Sequence, residues 1–240
     1  MRHRYLFILT APFSGSTLLA SLLGSSPQVS ILKTPQHEGL KLPGMHALLI
    51  SKGGSQFNPL PWGYLHELYH RHWDLSKPVL VEKGQYPKHG EYIQRCFPGV
   101  SFIVMPRDPY AWCESIKRRR KPDKPAKPME ETALRWVRSA AWHIHNIKTL
   151  ERVTYFTYED LCDRTPDVLE RLRQFMPELG EMRPEGEFEV HSALGKRRNP
   201  ITNTNESALG RLDSTEIGAI SRTLNTYPDI TAYFGYKVLG

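Results

Sequence analysis

The spacing of apolar residues along the chain switches repeatedly between a pattern typical of strands and one typical of helices. This switching predicts strands that alternate with helices. Short runs of β-branched and aromatic residues predict strands, and apolar residues three or four positions apart predict helices. The predicted strands cover residues 5–9, 29–32, 79–82, 100–105 and 153–157. The predicted helices begin after Gly15 and Pro109 and also cover about 61–73, 89–96, 129–150, 166–176 and 214–227.

This order of elements predicts an α/β fold with a mostly parallel central sheet and helices on both faces. The 240 residues contain no internal repeat or linker and predict a single domain over 1–240. The connecting segments are a long Gly- and Pro-rich loop at 33–61, a basic Pro-rich loop at 117–128, an acidic connector at 178–189 and a basic turn at 191–200.

The first strand, turn and helix form the most informative stretch, Y-L-F-I-L-T-A-P-F-S-G-S-T-L-L-A-S-L-L-G. Ser14, Ser16 and Thr17 lie where the helix begins, so hydroxyls, free backbone N–H groups and the positive end of the helix dipole are available to an anion. The alternative is a capped turn without a ligand, since Ser and Thr are ordinary N-caps. The turn matches neither the G-x-x-x-x-G-K-[ST] nor the G-x-G-x-x-G pattern.

Composition favours an anionic partner without choosing among nucleotide, nucleic acid, acidic glycan and membrane surface, because the formal net charge is +7 and the pI is about 9.3. The three cysteines have neither metal-ligand nor disulfide-framework spacing, which favours a reducing compartment. The N-terminal apolar run is too short for a membrane span and precedes no cleavage site, so a cytoplasmic location is expected.

Polar residues follow two further strands. His37 and Glu38 come after the second strand, and Glu82 and Lys83 end the third. The carboxyl ends of parallel strands are where ligand groups gather, so these side chains are expected to face a ligand. Solvated loop residues are the alternative for this segment.

A second anion site is predicted where the clearest buried strand ends. Arg107 follows that strand, and Ser115 lies eight positions later on the next helix. Both side chains can therefore converge on one phosphate. The alternative is a capping pair between Arg107 and Asp108 with a surface serine.

Together these motifs resemble the sulfotransferase superfamily. They are T-A-P-F-S-G-S-T at 10–17, R-D-P-x5-S at 107–115, Y-E-D-L at 158–161 and F-G-Y at 234–236, and they span most of the chain. The resemblance implies a three-layer, P-loop NTPase-like fold and transfer of a sulfuryl group from 3′-phosphoadenosine 5′-phosphosulfate (PAPS) to a hydroxyl or amine. The expected product is 3′-phosphoadenosine 5′-phosphate (PAP), and no metal is implied.

The resemblance also implies cofactor-binding residues. Those for the 5′-phosphosulfate are Ser14, Gly15, Ser16 and Thr17, with Phe13 in the same turn; those for the 3′-phosphate and nucleoside are Arg107, Ser115, Arg119, Tyr158, Lys196, Arg197 and Arg198. Phe13 departs from the pattern, because most members carry Lys or Arg at that position. Lys83 is the predicted replacement cation.

Three residues are candidates for the general base. Tyrosylprotein sulfotransferase-like members use a Glu after the second strand and a Lys after the third, which correspond to Glu38 and Lys83. Glycan sulfotransferases use the Glu of an E-K-x-x-x-Y-like segment, which corresponds to Glu82, and some members use a His, which corresponds to His37. Glu38 is the first choice.

The expected acceptor is a small molecule, a glycan or a peptide, with no nucleic acid beyond the donor and no membrane span. The alternatives are a P-loop-like nucleotide kinase, a catalytically silent PAPS-binding protein and a basic nucleic-acid binder that uses residues 117–127. Against a kinase, the sequence has neither the Lys-[ST] pair nor an acidic Mg²⁺ ligand after an apolar strand. Against a nucleic-acid binder, it has no recognisable motif for reading bases.

Overall fold

A computed structural model describes residues 3–33, 38–39, 42, 60–84, 87–120, 123, 125, 127–192 and 195–240, without the side chains of 60–64, 191–192 and 195–196. Five parallel strands form the central sheet in the order β2-β3-β1-β4-β5. They are β1 Arg4–Leu9, β2 Val29–Ile31, β3 Val79–Glu82, β4 Ser101–Val104 and β5 Val153–Tyr155. The predicted α/β fold with a parallel sheet between helices is confirmed.

Alternation along β1 explains why helices cover both faces of the sheet. Leu6 and Ile8 face one hydrophobic cluster, whereas Tyr5, Phe7 and Leu9 face another. All five side chains are buried, so neither face of the sheet is left to water.

Helices α1 (Ser16–Leu23), α6 (Tyr158–Asp163) and α7 (Thr165–Phe175) cover the face of Leu6. Helices α2 (Leu60–His70) and α3 (Gly90–Cys96) cover the opposite face. Helices α4 (Pro109–Arg118), α5 (Met129–Thr149), α9 (Ser214–Asn225) and α10 (Pro228–Tyr233) share a third cluster. A short helix, α8 (Asn205–Leu209), packs on α4.

The segment predicted as a basic turn is instead part of an antiparallel hairpin. Strand β6 covers Phe188–Ser192 and β7 covers Gly195–Asn199. Phe188 is buried in the same cluster as α1, and strand β6 packs on that helix. Tyr158 to Leu161 belong to a helix, which Thr157 begins with a capping box. Within the described part of the chain, no helix is long and apolar enough to cross a membrane.

Truncation of Leu19 should destabilise the protein strongly, because this side chain on α1 is fully buried beneath the first turn. We expect Leu19→Ala to lower the free energy of unfolding by about 2–5 kcal/mol. Chemical denaturation measures this change. The matched control is Leu75→Ala, which removes a 43% exposed side chain and should cost less than about 0.5 kcal/mol. Equal losses in the two variants would contradict the assigned core.

Candidate functional site

The first turn lies at the carboxyl end of β1 and has an unusual backbone. Phe13 and Gly15 both have positive φ, 68° and 89°. A Cβ on Gly15 would lie 2.5 Å from Cδ2 of Tyr158, so only glycine fits against this ring. Helix α1 begins directly afterwards without a side-chain N-cap hydrogen bond. The first N–H groups of the helix have no partner within it and are therefore suited to an anion.

The turn is attached to the segment that follows β4. Nε1 of Trp112 donates a hydrogen bond of 2.6 Å to the Pro12 carbonyl, and Nη1 of Arg107 donates one of 3.0 Å to the Phe13 carbonyl. The Thr10 hydroxyl also donates to the Met105 carbonyl at 2.6 Å. The two predicted anion-binding segments therefore share one rigid junction.

Arg107 is 7% exposed and uses its remaining nitrogens on residues near α8. Its Nε donates to Oδ1 of Asn205 at 2.8 Å, and its Nη2 donates to Oγ1 of Thr204 at 2.9 Å. Its guanidinium carbon lies 4.4 Å from the centre of the Tyr158 ring. The Tyr158 hydroxyl in turn donates to the Thr202 carbonyl. Arg107 therefore joins the first turn to Thr204 and Asn205.

A cavity of about 460 Å³ opens beside this junction, within the size range of small-molecule sites. Its lining brings together most of the predicted site residues, namely Phe13, Gly15, Ser16, Thr17, Glu38, Lys83, Arg107, Ser115, Arg119 and Tyr158. Ser14 is buried in the same turn, with its N–H on the Ala11 carbonyl.

Three of the other predicted residues that the structure describes do not line the cavity. Arg197 and Arg198 are exposed on β7 and do not belong to the lining. Glu82 is fully buried and does not line the cavity either. His37 and the side chain of Lys196 lie outside the described residues.

Lys83 connects the first turn to Glu38 at one end of the cavity. Its Nζ donates to Oγ1 of Thr17 at 2.9 Å and lies 3.2 Å from Oε1 of Glu38. The Lys83 and Glu38 side chains are 1% and 9% exposed. Burial lowers the pKa of Lys83, and the Glu38 carboxylate partly offsets this effect. A cation, a carboxylate and an anion-binding turn therefore meet in one place.

Arg119 lies beside the same turn, with its guanidinium carbon 5.1 Å from the centre of the Phe13 ring. Its Nη2 is buried and has no hydrogen-bond partner among the described residues. Burial and the neighbouring Arg118 both lower the pKa of Arg119. This guanidinium is therefore oriented by an aromatic ring and available to an anion in the cavity.

Several cavity residues could not be predicted from the sequence. Arg211 follows α8 and forms a two-point ion pair with Glu114, through Nε at 2.7 Å and Nη2 at 3.1 Å. Arg118 binds the same carboxylate. Arg118 lies in a basic run that a solvated loop also explains, and Arg211 lies in no motif. The other lining residues without a signal are Val190, Asn199, Pro200, Thr202, Thr204 and Ser207.

The described residues contain no group of three or more His, Cys, Asp or Glu side chains that could hold a metal ion. Among the described residues, the cavity lining offers anion-binding groups and one carboxylate, that of Glu38. Such a set can bind a phosphorylated or sulfated ligand and accept a proton beside it.

Comparison with known proteins identifies the fold. No protein-family model matches the chain, and no curated protein matches it in sequence. The solved structures that it resembles include the sulfotransferase domain from the curacin biosynthetic pathway, with a TM-score of 0.56 and 20% identity over 100% of both chains.

A sulfotransferase from Alicyclobacillus acidocaldarius has a TM-score of 0.57 and 13% identity, over 99% of this chain and 98% of that one. Mouse sulfotransferase SULT7A1, complexed with PAP, has a TM-score of 0.55 and 13% identity, over 99% of this chain and 90% of that one. These likenesses extend over nearly the whole chain. The chain therefore has the sulfotransferase fold, as its motifs predict.

Proposed function

We propose that this chain transfers a sulfuryl group from PAPS to the hydroxyl or amine of a small molecule, glycan or peptide by in-line displacement. The observation that carries the proposal is the contact of Lys83 with both Thr17 and Glu38 at the start of α1. The structure of SULT7A1 with PAP supports the same donor. PAPS would supply the activated sulfuryl group.

The first turn and α1 would hold the 5′-phosphosulfate end of the donor. Their N–H groups, the Thr17 hydroxyl and the Lys83 ammonium are the groups suited to negative charge there. Arg107, Ser115 and Arg119 would hold the 3′-phosphate. Arg118 and Arg211 also line the cavity and add positive charge.

Glu38 would accept the proton of the acceptor, and the acceptor oxygen or nitrogen would then attack sulfur. As the new bond to sulfur forms, the bond from sulfur to the phosphate oxygen breaks, and the Lys83 ammonium offsets the charge that grows on that oxygen. The ion pair also keeps Glu38 directed toward the start of α1. Positioning and charge stabilisation therefore supply most of the rate.

The proposal is tested with radiolabelled PAPS and a panel of phenols, alcohols, amines, glycans and tyrosine peptides. We expect label to transfer without added metal and Glu38→Gln to lower kcat by about 10²–10⁴-fold, the usual effect of losing a general base, with PAP affinity unchanged. Glu181→Gln, which changes an exposed carboxylate, is the matched control. Magnesium-dependent hydrolysis of ATP without sulfuryl transfer would support a kinase instead.

Arg119→Ala should weaken PAP binding by about tenfold, because a charge-assisted hydrogen bond contributes about 1.5 kcal/mol or more. Isothermal titration calorimetry with PAP measures this change. Arg173→Ala is the control, since Arg173 is 51% exposed and pairs with Glu170 on α7. Equal PAP affinity in both variants would remove Arg119 from the phosphate site.

Phe13→Lys should change kcat more than PAP affinity, because the new ammonium would stand at the turn that receives the transferring group. Steady-state kinetics with PAPS, beside calorimetry with PAP, separate the two effects. Phe13→Leu is the control, since it removes the ring without adding charge. If kcat in Phe13→Lys stays at the wild-type value, Lys83 already fills the role of the missing cation.

A further inference from the structure

Glu82 is the one predicted catalytic carboxylate that is described and yet lies away from the cavity. It ends β3 with a relative exposure of 0%. Alternation along β3 directs it to the same face of the sheet as Leu80. Leu80 belongs to the hydrophobic cluster that α2 and α3 cover. Lys83, the next residue, instead reaches Thr17 on α1. A fully buried carboxyl on that face does not reach an acceptor in the cavity.

The Glu82 carboxyl has a definite partner in the backbone beside Glu38. Its Oε1 accepts a hydrogen bond of 2.9 Å from the Gly39 N–H. Two consecutive residues of one segment thus bind two consecutive residues of the other, Glu38 on Lys83 and Gly39 on Glu82. The Gly39 carbonyl then accepts from the Leu42 N–H at 3.0 Å.

A second contact limits movement of the same backbone. A Cβ on Gly39 would overlap the Tyr69 hydroxyl, so the Gly39 Cα lies directly against the Tyr69 side chain. Tyr69 is fully buried on α2. Gly39, the residue next to Glu38, is therefore held between the end of β3 and α2.

We propose that Glu82 is a positioning residue, which holds the Gly39 N–H and thereby keeps the Glu38 carboxylate against Lys83. This inference rests on the proposed sulfuryl transfer for its effect on rate, although the contact itself does not. Glu82 contributes through an acceptor oxygen, and its charge is not required. Displacement of the base by about 1 Å is enough to cost about 10²-fold in rate.

The protonation of Glu82 agrees with this role. Burial, with a smaller contribution from the neighbouring Glu38, raises the pKa of Glu82 to about 8, although the Gly39 N–H and Lys83 oppose the shift. Glu82 is therefore mainly neutral near pH 7, where a glutamine has nearly the same shape and the same acceptor oxygen. Its Oε2 has no hydrogen-bond partner among the described residues.

The kinetic test compares Glu82→Gln with Glu82→Leu near pH 7, with folding of both checked by circular dichroism. We expect Glu82→Gln to retain the wild-type kcat, and Glu82→Leu to lose about 10- to 100-fold in kcat with PAP affinity unchanged. A large loss in Glu82→Gln as well would make the ionised carboxylate itself necessary and would overturn the proposal. So would a Glu82→Leu variant with wild-type kcat.

Activity measured near pH 9 tests the effect of ionising the Glu82 carboxyl. Wild-type Glu82 loses its proton above its raised pKa, so a second negative charge appears beside Glu38 and Lys83, the charged groups that act on it. We expect wild-type kcat to fall below that of Glu82→Gln there, because this charge opposes the transferring anion. Identical pH profiles would contradict a titrating buried carboxyl at this position.

Amide hydrogen exchange measured by NMR tests the contact without any turnover. We expect the Gly39 amide to exchange slowly in wild type and Glu82→Gln, and about tenfold faster or more in Glu82→Leu. If Glu82→Leu does not fold, rapid Gly39 exchange in wild type alone would overturn the proposal, and slow exchange would support it. A wild-type protein that transfers no sulfuryl group yet protects Gly39 would refute the proposed function and leave this contact standing.

Discussion

Two carbonyl oxygens of the first turn are held by side chains from the segment that follows β4, and the rest of the site depends on this attachment. Trp112 and Arg107 take the carbonyls of Pro12 and Phe13. Both hydrogen bonds fix the backbone of the turn directly before α1 begins. Arg107 also joins residues 204 and 205 to the turn, so that three distant parts of the chain meet on one guanidinium.

The sheet and most helices could be predicted because burial requires apolar runs in the strands and regularly spaced apolar residues in the helices. Every residue of β4 is buried, and its apolar run stands out in the sequence. The hairpin of β6 and β7 could not be predicted in this way, since Arg197 and Arg198 are exposed and the hairpin packs on α1 through residues such as Phe188. Helix α8 is five residues long and too short for a period to appear.

The site residues that could be predicted are those that lie in a recognisable local motif. Gly15 and Arg107 each lie at a strand end followed by a helix, and both line the cavity. Arg211 belongs to no motif, because its place depends on Glu114, 97 residues earlier in the chain. The contact between Glu82 and the Gly39 amide is equally hidden, since it joins the end of β3 to a residue 43 positions earlier through a backbone atom.

Gly15 and Tyr158 also constrain each other as the sequence changes over time. A side chain at position 15 would meet the tyrosine ring, and a smaller residue at 158 would remove that obstacle. The same ring, however, supports the guanidinium of Arg107. Replacing both residues would therefore relieve the clash but would also loosen the arginine that fixes the turn. We expect few combinations of residues at positions 15 and 158 to be accepted, and substitutions at the two positions to depend on each other.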